Sequence, residues 1–179
     1  MAAGSGRRFG ANKLLAPVEG VPMICRAMDS LPPALFARAV AVSCHPEVLA
    51  LAGRAGYECV ENPWAAEGQS ASIRLGVRAL REMDGILFAV GDQPWLTRRS
   101  VERLRSAFAA RPDCIAALSW NGARGNPVIF PADLFPELMA LRGDVGGGQV
   151  LRRHPDRLLL VEAGAEQELR DVDTPEALK

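Results

Sequence analysis

The sequence is poor in imidazole, has no excess of either charge and lacks a long apolar run. Each shortage removes a class of function. Only His45 and His154 are present, and neither lies in a zinc-like spacing. The four cysteines, Cys25, Cys44, Cys59 and Cys114, are scattered with no CxxC pair, which reads as small buried hydrophobes in a reducing compartment. Adjacent Cys44 and His45 make a poor chelate at a strand end. Lys plus Arg and Asp plus Glu stand at 21 each, so no overall field points to a nucleic-acid or membrane partner. A small phosphorylated ligand held locally remains compatible with that balance. No apolar stretch of about 18 residues is present to span a bilayer, and no signal peptide is visible, so a cytoplasmic location is expected. Nor does any Ser/His/Asp or Cys/His set suggest a covalent nucleophile.

What remains is an ordinary globular mix, 49% apolar and 23% charged, in 179 residues. That length and the absence of linkers or repeats suit one domain, 1–179. Short apolar runs at 38–43, 57–61, 86–90, 114–119, 127–130, 157–161 and 169–172 read as strands. Helical patterns fall between them near 22–31, 46–55, 68–82, 97–110, 131–141 and 146–153. In the 68–82 segment Ile73, Gly76, Val77 and Leu80 recur at helical spacing, with Arg74, Arg78 and Arg81 on another face. Thr97 and Ser100 are candidate N-caps. Alternating strands and helices predict a three-layer, Rossmann-like α/β fold with a mostly parallel sheet, and ligands outside the carboxyl ends of its strands. The chain opens on a glycine turn with no apolar strand before it, so a first strand is expected to be missing. It also stops early in a helix begun by Thr174 and Pro175.

Three segments carry the chemistry. In 2–13, AAGSGRRFGANK, the glycines Gly4, Gly6 and Gly10 let backbone amides approach an anion. Arg7, Arg8 and Lys13 add positive charge to the same loop. The pattern is neither the dinucleotide GxGxxG nor a Walker A loop; a flexible basic loop without a ligand is the plain alternative. In 86–96, ILFAVGDQPWL, an apolar strand delivers Asp92 at its carboxyl end, where one carboxylate can serve a hard cation such as Mg²⁺. Asp92 as a simple turn carboxylate is the competing reading. In 171–175, DVDTP, alternation turns Asp171 and Asp173 to opposite sides, and Asp173, nearer the strand end, is the candidate second metal ligand. Its oxygens could instead cap a terminal helix. Two further polar loops, 61–72 with Asn62, Ser70 and Ser72, and 124–127 with 143–148, can bind an anion, a base edge or simply turn the chain. Trp95, beside Asp92, could line a pocket for a planar ring.

Taken in order, AAGxGxRFGxxK (2–13), NPxxxxGxSxS (62–72), GDQPxL (91–96), RGNPVxF (124–130), GDxGG (143–147) and DVDTPE (171–176) resemble the MobA-like NTP transferases. Within that family the later motifs are most similar to the molybdenum cofactor cytidylyltransferase, or MocA-type, branch. The resemblance implies transfer of CMP from CTP to molybdopterin, the pterin of the molybdenum cofactor, with Mg²⁺ and release of pyrophosphate. It implies that Ala2, Ala3 and Gly4 contact base and ribose, that Gly6 and Arg8 wrap the triphosphate, and that Lys13 neutralises it. Asp92 and Asp173 would hold Mg²⁺, Asn62 and Ser72 would help hold the nucleotide, and Arg124, Asn126 and Asp144 would face the pterin. The catalytic set would be Arg8, Lys13 and Asp92. CTP or another NTP and molybdopterin are the expected partners, with transient contact to a molybdenum hydroxylase or its maturation factor. Two alternatives stand: an NAD(P)H-dependent oxidoreductase of the nicotine-blue type on the same fold, and a non-catalytic carrier of the cofactor.

Overall fold

The computed structural model describes residues 12–174. After a short turn at Lys13–Leu15, the chain forms the ribbon β1 (Pro17–Val18) and β2 (Val21–Pro22), then α1 (Met23–Asp29). It continues through β3 (Val40–Ser43), α2 (Pro46–Arg54), β4 (Glu58–Glu61), α3 (Gln69–Ala79), β5 (Gly85–Phe88) and α4 (Arg98–Ala110). The last part holds β6 (Ile115–Trp120), β7 (Ala123–Pro131), α5 (Phe135–Ala140), α6 (Gly148–Arg153) and β8 (Leu158–Glu162).

Strands β5, β7, β6 and β8 form one sheet in that order; β6 pairs parallel with β8, whereas β7 runs antiparallel to both neighbours. Three of the four strands therefore point one way, as the alternation of elements predicts. The reversed strand has a local cause. Asn121 and Gly122 both take positive φ, 49° and 79°, the two-residue turn that folds a strand straight back on itself. Glu19 and Gly20 do the same between β1 and β2, with φ 49° and 81°, just before α1, the helix expected near 22–31.

Burial on both faces explains why β6 is apolar without a break. Ile115 and Ala117 pack with Ile73, Val77, Val128 and Phe130 beneath α3, α5 and α6. Ala116 and Leu118 turn the other way, onto Val101 and Leu104 of α4. Thr97 caps α4 as expected, its hydroxyl accepting from the Ser100 amide at 3.3 Å. Gly85 opens β5 because a Cβ there would stand 2.5 Å from the Phe108 ring. The strand expected at 169–172 is instead a short turn at Glu166–Leu169 followed by extended chain. Among the described residues, its one backbone bond to the body of the protein runs from the Val172 amide to the Asp92 carbonyl, 2.9 Å, and a single bond makes no ladder.

Strands β3 and β4 pair parallel as a separate two-stranded unit. Among the described residues no ladder joins β3 to β5. An apolar cleft of about 460 Å³ runs between them, bordered by Val40, Val42, Leu80, Ile86 and Phe88. None of the described helices is long and apolar enough to cross a membrane.

Tyr57, the only tyrosine, lines this cleft and donates its hydroxyl to the Leu31 carbonyl. Burial, then the Asp29 charge, push its pKa from 10.0 up to about 12. The folded state thus holds this proton more tightly than the unfolded one. The resulting stability is fully present below pH 10 and is lost as pH climbs towards 12. An absorbance titration of the folded protein should give one phenolate step near 12; a midpoint near 10 would show Tyr57 exposed and the cleft wrongly closed at that end.

Candidate active site

The chain leaves β5 at its carboxyl end and reaches Asp92, and two distant segments meet it there. One is the turn Lys13–Leu15. Asn12 caps it by accepting from the Leu14 amide at 3.2 Å, and Leu14 is buried among Ile24 and Val48. With the backbone pinned by Leu14, the Lys13 ammonium donates to Asp92 Oδ2 at 2.6 Å, to the Val172 carbonyl at 3.2 Å and to Asp173 Oδ1 at 3.3 Å. Burial is the largest single influence on Lys13 and pulls its pKa down. The bonds and charges of Asp92 and Asp173 together outweigh it, so the pKa lies above the ordinary lysine value.

The other segment is the tail at 168–173, the end of the Glu166–Leu169 turn and the extended chain after it, strapped across the Asp92 loop at several points. Buried Glu168 accepts from the Thr97 amide at 3.1 Å and hydroxyl at 2.8 Å. Gln93, also buried, donates to the Leu169 carbonyl at 3.0 Å. The Arg170 guanidinium sits 5.8 Å from the Trp95 ring centroid. These ties explain how carboxylates 81 positions apart come to share one cation. Partial desolvation of the Asp171 carboxyl, then the Asp92 charge, raise its pKa, although Asp171 makes no bond to Lys13 among the described residues.

The donor set fits a hard divalent ion. Oxygens from Asp92, Asp173 and the Val172 carbonyl all lie within 3.3 Å of one point, the Lys13 nitrogen. Asp173 keeps 65% of its side chain exposed, leaving room for water and phosphate oxygens. Among the described residues there is no cluster of three or more His, Cys, Asp or Glu arranged as a closed metal cage. Two carboxylates in an open corner suit an ion shared with a substrate instead.

Asn62 and Ser72 are brought together, but towards each other. Both are buried; Asn62 donates to the Ser72 hydroxyl at 2.9 Å, and its carbonyl accepts from the Trp64 amide at 2.9 Å. They hold the turn that leads into α3, and neither lines the cavity described next. Ala2, Ala3, Gly4, Gly6 and Arg8 lie outside the described residues.

That cavity, about 380 Å³, opens beside the end of β5. Arg124, Asn126, Val128 and Phe130 are alternate residues of β7 and face it together, as period two requires. Asp144 lies at its rim and spends one oxygen on the Gln69 amide at the start of α3, 3.2 Å away. This packing requires glycine at 68, whose φ is 96° and where a Cβ would stand 2.5 Å from Asp144 Cα. The sequence reading missed Gln69, Gln149 and Arg152, which also line the cavity. Arg152 follows Gly148 by one helical turn, a spacing that would have shown it.

Residues 1–158 match the model of the MobA-like NTP transferase domain. The chain is 32% identical to the purine catabolism protein PucB of Bacillus subtilis, over 98% of this chain and 90% of that protein. It is 28% identical to the nicotine blue oxidoreductase of Paenarthrobacter nicotinovorans, over 99% and 92% respectively. Among solved structures, a nucleotidyl transferase from Methanothermobacter thermautotrophicus superposes with a TM-score of 0.81 at 26% identity, over 98% of this chain and 90% of that one.

Glu168→Ala removes the acceptor for the Thr97 amide and hydroxyl and frees the tail that carries Asp171 and Asp173. Urea denaturation should show a loss of about 1–3 kcal/mol. A variant as stable as the parent would mean that the strap is held elsewhere.

Proposed function

The chain belongs to the MobA-like NTP transferase family, and from that we propose that it is a divalent-cation-dependent nucleotidyltransferase carrying CMP from CTP to the terminal phosphate of molybdopterin. The observation that carries this reading is the meeting of Lys13 with Asp92, Asp173 and the Val172 carbonyl at the end of β5. An oxygen of the acceptor phosphate attacks the α-phosphorus of the NTP. The bond from that phosphorus to the bridging oxygen breaks, and pyrophosphate leaves with the electron pair. An ionised phosphate needs no protein base, which agrees with the lack of a paired nucleophile and histidine. The protein's task is positioning and charge neutralisation. Asp92 and Asp173 would hold Mg²⁺, which when bound supplies positive charge to the phosphates. Lys13, shared between the two carboxylates, is placed to turn its ammonium to the same phosphates. Arg8 and the glycine loop of Ala2, Ala3, Gly4 and Gly6 are proposed to cradle the nucleotide, and Arg124, Asn126 and Asp144 to face the acceptor.

The full-length likeness to a nicotine blue oxidoreductase favours a second reading, in which the loop holds a nicotinamide dinucleotide. Pyrophosphate release from each NTP, with molybdopterin and Mg²⁺, separates the two. Release with CTP alone supports the cytidylyl reading and names the base. No release with any NTP, together with NADPH oxidation, overturns it in favour of the second. Asp92→Asn and Lys13→Ala should each lower transfer by about a hundredfold or more while circular dichroism stays unchanged. Near-normal turnover in Asp92→Asn would end its assignment as the metal ligand.

A further inference from the structure

We propose that Arg124 and Arg152 form a paired guanidinium clamp for the anionic group of a planar heterocycle seated in the 380 Å³ cavity beside β5. The proposal rests on the transfer reading for the identity of that ligand as the acceptor, but the clamp itself rests on four observations of its own.

The cavity's volume falls within the range of small-molecule sites, and its lining mixes apolar side chains with Arg124, Asn126, Asp144, Gln149 and Arg152. Phe88 and Phe130 meet there edge to face, with ring centroids 6.0 Å apart, beside Ile73 and Leu138. A ring at the mouth would meet the side of Phe88, which keeps part of its surface exposed.

The two arginines come from different elements, β7 and α6, yet converge. The position a Cβ would take on Gly148 lies 3.5 Å from Arg124 Nη2 and 3.8 Å from Arg152 Nη1. One anion placed near that point is within reach of both. Two guanidinium groups brought this close repel each other unless an anion lies between them, and both keep their charge at any ordinary pH.

Neither has a carboxylate partner among the described residues, whereas arginines close by do. Arg153, the next residue on α6, pairs with Glu137, and Arg74 of α3 pairs with Glu67. Among the described residues, the two arginines at the cavity are left available to a ligand.

The backbone between them is kept bare. At Gly147 a Cβ would press on Phe130 at 2.9 Å, so glycine is needed for packing. At Gly148 a Cβ would meet nothing closer than the two guanidinium groups, at ordinary contact distance. Glycine at 148 is thus not demanded by packing, and what its bareness preserves is the space between Arg124 and Arg152.

Neopterin and neopterin 3′-monophosphate, followed by pterin fluorescence without nucleotide, are the probes. The phosphorylated form should bind about tenfold or more tightly, since hydrogen bonds to a charged group are worth that much. Arg124→Ala and Arg152→Ala should each erase the difference between the two pterins. Arg152→Lys should restore part of it. Gly148→Ala, which the packing tolerates, should weaken the phosphorylated form alone and leave thermal stability intact. Inorganic phosphate should compete in the parent and not in Arg152→Ala. Equal affinity for the two pterins, no binding of either, or an Arg152→Ala variant that behaves as the parent would overturn the clamp. Pyrophosphate release read in the same variants keeps the two ideas apart. Transfer whose acceptor KM ignores both arginines sinks the clamp alone. A phosphate preference that tracks the arginines upholds the clamp even where no transfer occurs.

Discussion

The contact between the Lys13 ammonium and Asp92, 2.6 Å long, is the constraint on which the rest of the site depends. It joins three pieces of chain that have little else in common: the turn after the opening loop, the end of β5 and the tail at 168–173. Lys13 is positioned by Leu14, which is buried. Asp92 is positioned by an apolar strand whose neighbours fix its end. The tail is positioned by Glu168 and Gln93, whose polar atoms are buried and directed at backbone groups. Each hydrogen bond is modest by itself. Together they bring two carboxylates, Asp92 and Asp173, onto one lysine.

Charge is then divided between two neighbouring places. The corner at Asp92 is acidic, with more carboxylates than cations among the described residues. The cavity next to it carries two guanidinium groups that have no carboxylate partner among the described residues. A protein whose overall charge is zero thus keeps opposite local fields side by side, which the balanced composition could not reveal. A cation with phosphates suits the first place, and an anionic group on a ring suits the second. Transfer between two phosphorylated molecules requires two such places to adjoin.

The sequence disclosed the elements better than their connections. The apolar face of α3 and the Thr97 cap could be read because helix periodicity and capping are local effects. Direction in the sheet was set by a local feature as well, since Asn121-Gly122 is a two-residue hairpin turn, but that dipeptide was passed over in favour of strand patterns on either side. The tail at 169–172 looked like a strand because its residues alternate. Pairing depends on a partner edge, and only one backbone bond is offered there. Asp92 and Asp173 meet at Lys13, whereas Asp171, two residues before Asp173, makes no bond to it among the described residues, as alternation along an extended segment would have it. Asn62 and Ser72 were expected to face the nucleotide, and burial has directed them at each other. Arg124 and Asn126 were read as a loop, so the period-two projection that aligns them with Val128 and Phe130 was missed, and Arg152 with it.

The acidic corner also bears on which of the two candidate chemistries this fold supports. A glycine loop that binds phosphate serves an NTP and a nicotinamide dinucleotide equally, so the loop cannot choose between them. The carboxylates can. A diphosphate brought within 4 Å of one carboxylate is repelled by about 4 kcal/mol per charge pair at an effective dielectric constant of about 20. Asp92 and Asp173 present that repulsion twice, and Lys13 is already shared between them. A divalent cation bound by both carboxylates would turn each repulsion into an attraction. A dinucleotide held for hydride transfer has no use for such an ion and would meet the two carboxylates as a penalty. A triphosphate that arrives with its cation meets them as ligands. On the transfer reading proposed above, the pair has a use that it lacks on the oxidoreductase reading.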